Sequence, residues 1–338
     1  MSLKTFYDLV NLDKDMWDLL IWIALFIGSY IIIYFAADLF LDNLKIICMV
    51  YNLSPLITGM LVLGIDPEES IASIISAFDG LPYISMGNVV GNSIIAMTLP
   101  FAIALVAKPI KVRPVSSFYI ILIFVMLINI FLGFMFNLFL FISGFLALIF
   151  YIIYFLWNIK HYSKKQRING KFINLLVVKN GEEVETPQGV AKLKKILLVI
   201  IGFIFIFLGG ELLIFSADKI LEIVKISELF FGFIVIGFVT NVEELTLVVK
   251  SIKKEATEIG IGGMIGKVIW NLGFTYGISS IIIINMAFSM DLMLNLLILF
   301  LVFISYSFFL RKALLKRWYS LILWSIFILF LSFNFYTI

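Results

Sequence analysis

The sequence predicts an all-α integral membrane protein of about ten transmembrane helices, arranged as two inverted-topology repeats of five. Three observations carry that prediction. The 338 residues are 62% hydrophobic and 14% charged, with a mean hydropathy of +1.12, which is more apolar surface than a soluble domain can bury. The apolar sequence divides at charged or Pro/Gly-rich breaks into runs of bilayer-crossing length. One pattern also occurs twice: an acidic pair, a glycine eighteen residues after its second member, and another glycine four residues later. The first copy is Glu68-Glu69, Gly87 and Gly91; the second is Glu243-Glu244, Gly262 and Gly266.

Taken in order, the expected helices lie at roughly 17–42, 54–79, 83–107, 115–136, 138–159, 196–221, 228–250, 259–288, 292–310 and 318–337. Met1 to Asp15 is polar and the first apolar run is too long for an h-region, so no cleavable signal peptide is expected. The division is an N-terminal repeat over 1–160, a linker over 161–195 and a C-terminal repeat over 196–338. The repeated motifs occupy about 54–107 and 228–288. The linker is short and polar, with Asn180-Gly181 and Pro187 as turn signals, and is too small for a regulatory domain.

Charge placement predicts the orientation. The linker carries a cluster that includes Lys164, Lys165, Arg167, Lys171, Lys179, Lys192, Lys194 and Lys195, so the positive-inside rule makes it cytoplasmic. Alternating outward from it also puts Lys108, Lys111 and Arg113, then Lys250, Lys253 and Lys254, then Arg311, Lys312, Lys316 and Arg317 on the inside. Both termini then lie outside the cell membrane. Five crossings per half is an odd number, so homologous halves must insert in opposite orientations, and a site is expected at their interface near the midplane.

Several function classes are excluded by what the chain lacks. Cys48 and His161 are the sole residues of their types, so neither an internal disulfide nor a multi-His or Cys metal centre is available. No nucleophile–base–orienter set and no nucleotide-binding Gly-rich loop appears, so the chain is not expected to be an enzyme, and no cofactor is expected. The basic residues follow the cytoplasmic boundary and call for no nucleic acid; the partners are cations and the lipid bilayer, and the expected unit is a monomer.

The repeated acids carry the chemistry. Ionisable side chains inside a membrane are costly and mark pathways or sites. Pro67 removes a backbone donor and frees carbonyls near Gly64-Ile65, beside Asp66 and Glu69, which lie three apart on one helix face. Thr240 and Glu244, four apart, do likewise. If the pseudo-twofold axis brings the two segments together, Glu69 and Glu244 face each other, flanked by Asp66, Thr240 and Asn241. Such an oxygen-rich set suits a hard cation. Gly87-x-x-x-Gly91 and Gly262-x-x-x-Gly266 are expected to let the third and eighth segments approach closely and bring Asn92, Ser93 and Asn271 to one level. Glu68 and Glu243 sit about 100° round the helix from their neighbours and are peripheral candidates. Small-x-x-x-small pairs are common packing devices and a lone membrane glutamate can be a structural ion pair; the repetition is what favours a site.

These residues resemble the cation/calcium exchanger superfamily, which includes the sodium/calcium exchangers. Its two alpha-repeats typically read G-T-S-x-P-E followed by G-N-x-x-G-S-N. Gly87-Asn88-Val89-Val90-Gly91-Asn92-Ser93 is a near match, Gly64 and Glu69 keep the ends of the first element, and Thr240 and Glu244 keep the threonine and glutamate of the second. The resemblance implies Glu69 and Glu244 as central cation ligands, with Thr240, Asn241 and Asn271 as supporting oxygen donors. The departures are Ile65 and Asp66 in place of hydroxyls, Glu68 and Glu243 where proline is usual, and Ala96 where asparagine is usual. The largest is Lys267, where the second repeat normally supplies serine. Lys267 is four residues before Asn271 and shares its face; it can pair with Asp66 or Glu69 as a tethered cation, or snorkel to an interface.

The expected function is a secondary active antiporter that exchanges calcium for sodium or protons by alternating access. Exchange of another monovalent or divalent cation is the nearest rival. A transport-inactive relative that senses an ion or acts as a scaffold is the rival from another class, favoured by Lys267 and the missing hydroxyls.

Overall fold

The computed structural model describes residues 3–50, 66–107, 109–111, 116–136, 139–165, 190–241, 257–309 and 314–336. Almost all of them are helical. The helices are α1 (Leu3–Val50), α2 (Pro67–Phe78), α3 (Pro82–Ala107), α4 (Ser117–Met135), α5 (Phe139–Lys165) and α6 (Val190–Val224), then α9 (Met290–Phe309) and α10 (Trp318–Tyr336). Between these, α7 runs as Glu228–Phe230, a π-helical stretch Phe231–Ile236 and Gly237–Thr240. Helix α8 runs as Thr257–Trp270, a π-helical stretch Asn271–Thr275 and Tyr276–Ile283. The order matches the ten apolar runs. Among the described residues, 7 helices are long and apolar enough to cross a membrane.

Helix ends differ from the sequence expectation: α1 runs over Leu3–Val50 rather than 17–42, α6 begins at Val190 within the expected linker, and two further ends bear on the site. The second segment does not continue unbroken through Pro67: α2 begins there, with Asp66 as its N-cap, and its 12 residues are too short for a full crossing. The eighth segment ends at Ile283, not near 288. Ile284 takes φ 61° and ψ −54°, and the Asn285 amide donates to the Ile283 carbonyl at 2.6 Å, a γ-turn that stops the helix. The Ser289 hydroxyl then accepts from the Leu292 amide to start α9.

Packing follows the pseudo-symmetry. Pairing each helix of the first half with its counterpart five later, α1 packs on α6 and α4 on α9, each element against its own equivalent. Two contacts between unlike elements recur in equivalent form: α3 on α10 with α8 on α5, and α2 on α8 with α7 on α3. One apolar core is built from Phe26, Ile33 and Ala36 of α1, Ile206, Leu213 and Ala217 of α6, and Ile75 of α2. A larger one joins α3, α4, α5, α8, α9 and α10 through residues such as Val90, Ile123, Leu140, Leu272, Val302 and Phe330. Outward-facing Trp17, Leu20, Leu197 and Phe203 remain exposed, as lipid-facing side chains must.

A short antiparallel ladder pairs Ile110 with Leu315 and Lys111 with Leu314. It ties the connection after α3 to the connection after α9, two loops that the charge pattern independently assigns to one side.

The glycine motifs pack differently from the expectation that they join the third and eighth segments. A Cβ on Gly91 would lie 2.5 Å from the Phe233 carbonyl oxygen, and one on Gly87 3.1 Å from that of Leu229, so both face α7. Gly232 answers from α7: its Cβ would lie 2.6 Å from the Ile84 carbonyl oxygen. Among the described residues, nothing lies within 4 Å of a Cβ built on Gly262. The reason is topological, since α3 meets α7 of the other half along its glycine face.

Candidate cation-binding site

The site begins where α2 begins. Asp-Pro-Glu-Glu-Ser is a helix-start sequence: aspartate caps, proline fits the first helical position, and acids favour the positive end of the helix dipole. The Asp66 Oδ1 atom accepts from the Glu69 amide at 3.2 Å, and the Ser70 hydroxyl donates to the Asp66 carbonyl at 2.8 Å. Capping thus turns one carboxylate oxygen of Asp66 inward along α2 and leaves the other for a partner.

That partner comes from the other repeat. Lys267 of α8 places its Nζ 2.7 Å from Asp66 Oδ2 and 2.6 Å from Glu69 Oε1. The three side chains are 5%, 7% and 1% exposed, respectively. Glu68, between them in sequence, is buried as well rather than turned out to solvent. Among the described residues no group of three or more acidic, His or Cys side chains converges on a common point. The convergent carboxylates are Asp66 and Glu69, and an ammonium stands between them.

The seam around this cluster is fixed by hydrogen bonds between α2, α3 and α8. The Ser70 hydroxyl accepts from Trp270 Nε1 at 2.7 Å and shares a 2.8 Å bond with the Thr275 hydroxyl. Asn88 of α3 donates to the Ser73 hydroxyl at 2.8 Å and the Glu69 carbonyl at 3.3 Å. Asn271 donates to the Val89 carbonyl and the Ser93 hydroxyl, both at 3.1 Å. Asn241, at the end of α7, donates to the Gly237 carbonyl at 2.6 Å and the Asn92 carbonyl at 3.5 Å. A carbonyl can only accept, so in all three asparagines the amide nitrogen is pinned and the Oδ1 atom turned away from it. The Oδ1 atoms of Asn88, Asn241 and Asn271 are buried and, among the described residues, accept no hydrogen bond. Oriented carbonyl oxygens of this kind are hard-cation donors in waiting.

The structure therefore brings Asp66, Glu69, Lys267 and Asn271 to the α2–α3–α8 seam and sets Asn92 beside Asn241. Asn92, Ser93 and Asn271 do lie at one level, through the Asn271–Ser93 bond. Thr240 ends the last turn of α7, while Glu243 and Glu244 lie outside the described residues, as does the expected Glu69–Glu244 apposition. Sequence reasoning missed Ser70, Ser73, Trp270 and Thr275 as supports. Ser70 was findable, since it follows Asp66 by one helical turn.

Two acids and an asparagine-rich seam built by helices of both halves are the ground for comparison with known proteins. The sodium/calcium exchanger protein profile matches residues 21–178 and 194–336. The chain belongs to that family. Among relatives of this exchanger-family chain, an uncharacterized membrane protein of Methanocaldococcus jannaschii is 26% identical over 78% of this chain and 82% of its own length. CaxA of Alkalimonas amylolytica, named as a candidate antiporter, is 24% identical over 77% of this chain and 80% of its own. Inner membrane protein YrbG of Escherichia coli is 22% identical over 81% and 85%. A solved structure of the sodium-calcium exchanger NCX_Mj, soaked with sodium and strontium, superposes with a TM-score of 0.58 at 22% identity, covering 93% of this chain and 98% of that one. The two share the all-α, two-repeat exchanger fold.

Proposed function

We propose that this exchanger-family protein is a secondary cation antiporter that moves calcium against sodium or protons, with Glu69 and Glu244 as the central carboxylates. The observation that carries the reading is the placement of Glu69: a buried acid in the first turn of α2, at a seam where helices of both repeats meet. A carboxylate so placed requires a cationic partner, and exchange follows if two kinds of cation compete for it. Asp66, Asn92, Thr240, Asn241 and Asn271 supply further oxygens; Glu68 and Glu243 set the surrounding charge. Alternating access is the motion expected of two repeats rocking about a shared site.

The test is calcium uptake into proteoliposomes under a sodium gradient and, separately, a proton gradient. Uptake driven by at least one gradient is expected, and E69Q and E244Q should each reduce it to background. Near-normal flux in either variant would remove that residue from the site. The occupied Asp66–Glu69 pair favours a second reading, an ion-sensing relative without transport; no flux of calcium or sodium under any gradient, with cation binding retained, would establish it.

A further inference from the structure

We propose that the Lys267 ammonium is a built-in cation: it fills one position of the cation site between Asp66 and Glu69, so the protein binds fewer mobile cations than its carboxylates alone would take. The inference rests on the preceding assignment of Asp66 and Glu69 to the transported-cation site.

The geometry is that of a coordinated ion. One nitrogen bridges two carboxylates three residues apart, at the N-cap and the third helical position of α2, at ion-pair distances of 2.7 and 2.6 Å. A metal ion bridging the same two groups would occupy the same place. Lysine offers three donors and no acceptor, so it can satisfy two anions but cannot be displaced from the chain. Snorkelling is ruled out by position: the side chain is 5% exposed and is directed across the helix seam to α2 rather than along α8 to an interface.

The charge is needed where it sits. Two carboxylates in one buried cluster carry a large desolvation cost without a counter-charge. On the same face of α8 the next polar side chain is the neutral Asn271, so the ammonium is directed at α2. Its position is held by the bonds of Trp270 and Thr275 to Ser70, which fasten α8 to the turn bearing both acids. The consequence is a site one positive charge closer to neutrality before any ion arrives, and thus an exchange with fewer counter-ions per cycle.

Equilibrium binding of radiolabelled calcium and sodium to the purified full-length protein tests this, comparing wild type with K267S, K267Q and K267R. K267S and K267Q should each bind about one additional cation per chain, since the vacated position keeps both carboxylates. Their unfolding temperatures should rise with sodium or calcium but not with choline, by binding linkage, while K267R should follow wild type. Unchanged binding in K267S and K267Q would overturn the inference. So would failure of both to fold in saturating sodium and calcium while K267S/E69Q folds, which would make Lys267 a structural counter-charge only. Parallel flux measurements separate the two levels: unchanged binding with E69Q inactive in transport leaves the antiporter reading standing, whereas full flux in E69Q overturns that reading and this inference together.

Discussion

Gly91 and Gly262 belong to the same repeated pattern, yet their surroundings differ completely. A Cβ at Gly91 would sit 2.5 Å from the Phe233 carbonyl oxygen and 2.6 Å from the Phe233 Cα, both backbone atoms that cannot swing aside. Gly91→Ala should therefore push α3 from α7 and lower stability by about 1–3 kcal/mol, the usual cost of overpacking. Gly262→Ala meets no atom of the described residues within 4 Å and should be neutral or stabilising by up to about 1 kcal/mol. Thermal unfolding of the two variants in detergent reads the contrast, and equal effects would show that the α3–α7 contact is looser than the geometry requires. Trp270→Phe removes the donor to Ser70 and also part of the buried indole volume, so a loss of about 1–3 kcal/mol is expected in the same assay.

At the scale of elements, α2 depends on its first residue in two ways. Asp66 caps the helix through Oδ1 and binds Lys267 through Oδ2. Asp66→Asn keeps a good cap but loses one arm of the ion pair, whereas Asp66→Ala loses both. The alanine variant should be less stable than the asparagine variant by about 0.5–2 kcal/mol, the value of an N-cap, measured by thermal unfolding. The β-ladder makes a different prediction. With Cys48 replaced by serine, cysteines at Ile110 and Leu315, which are direct Cα partners, should cross-link under mild oxidation. A cysteine at Ile110 paired with one at Tyr83, at the opposite end of α3, gives the negative control. Absence of the Ile110–Leu315 cross-link would separate the two connections.

For the whole molecule, the ladder and the charge pattern converge. The connections after α3 and α9 lie together, and both carry basic residues, including Lys111 and Lys316. The positive-inside rule then predicts that this side, with the 161–195 linker, faces the cytoplasm and that both termini face outward. A single cysteine at Gln166 in a Cys48-free background should resist an impermeant reagent in intact cells and react once the membrane is opened. Labelling of the Gln166 position from outside would invert the topology.

The amino-acid sequence alone specifies the membrane class, the number and order of the helices, and Glu69 as a site candidate. Each of these is written in local sequence: apolar runs set the crossings, odd repeats set the inversion, and recurrence of the acidic pair with its downstream glycines singles out Glu69. It also supplied Lys267 with two possible destinations, the acids of α2 or a membrane interface, because helical spacing fixes a face but not what lies across from it. Helix packing resolves the choice, by seating α8 against α2 so that one ammonium reaches Asp66 and Glu69 together. It also reassigned the glycine face of α3 from α8 to α7 and recruited Ser70, Trp270 and Thr275, residues far apart in sequence. Partners across a helix seam are set by how whole helices pack, and that information is spread over both halves of the chain rather than carried at any one position.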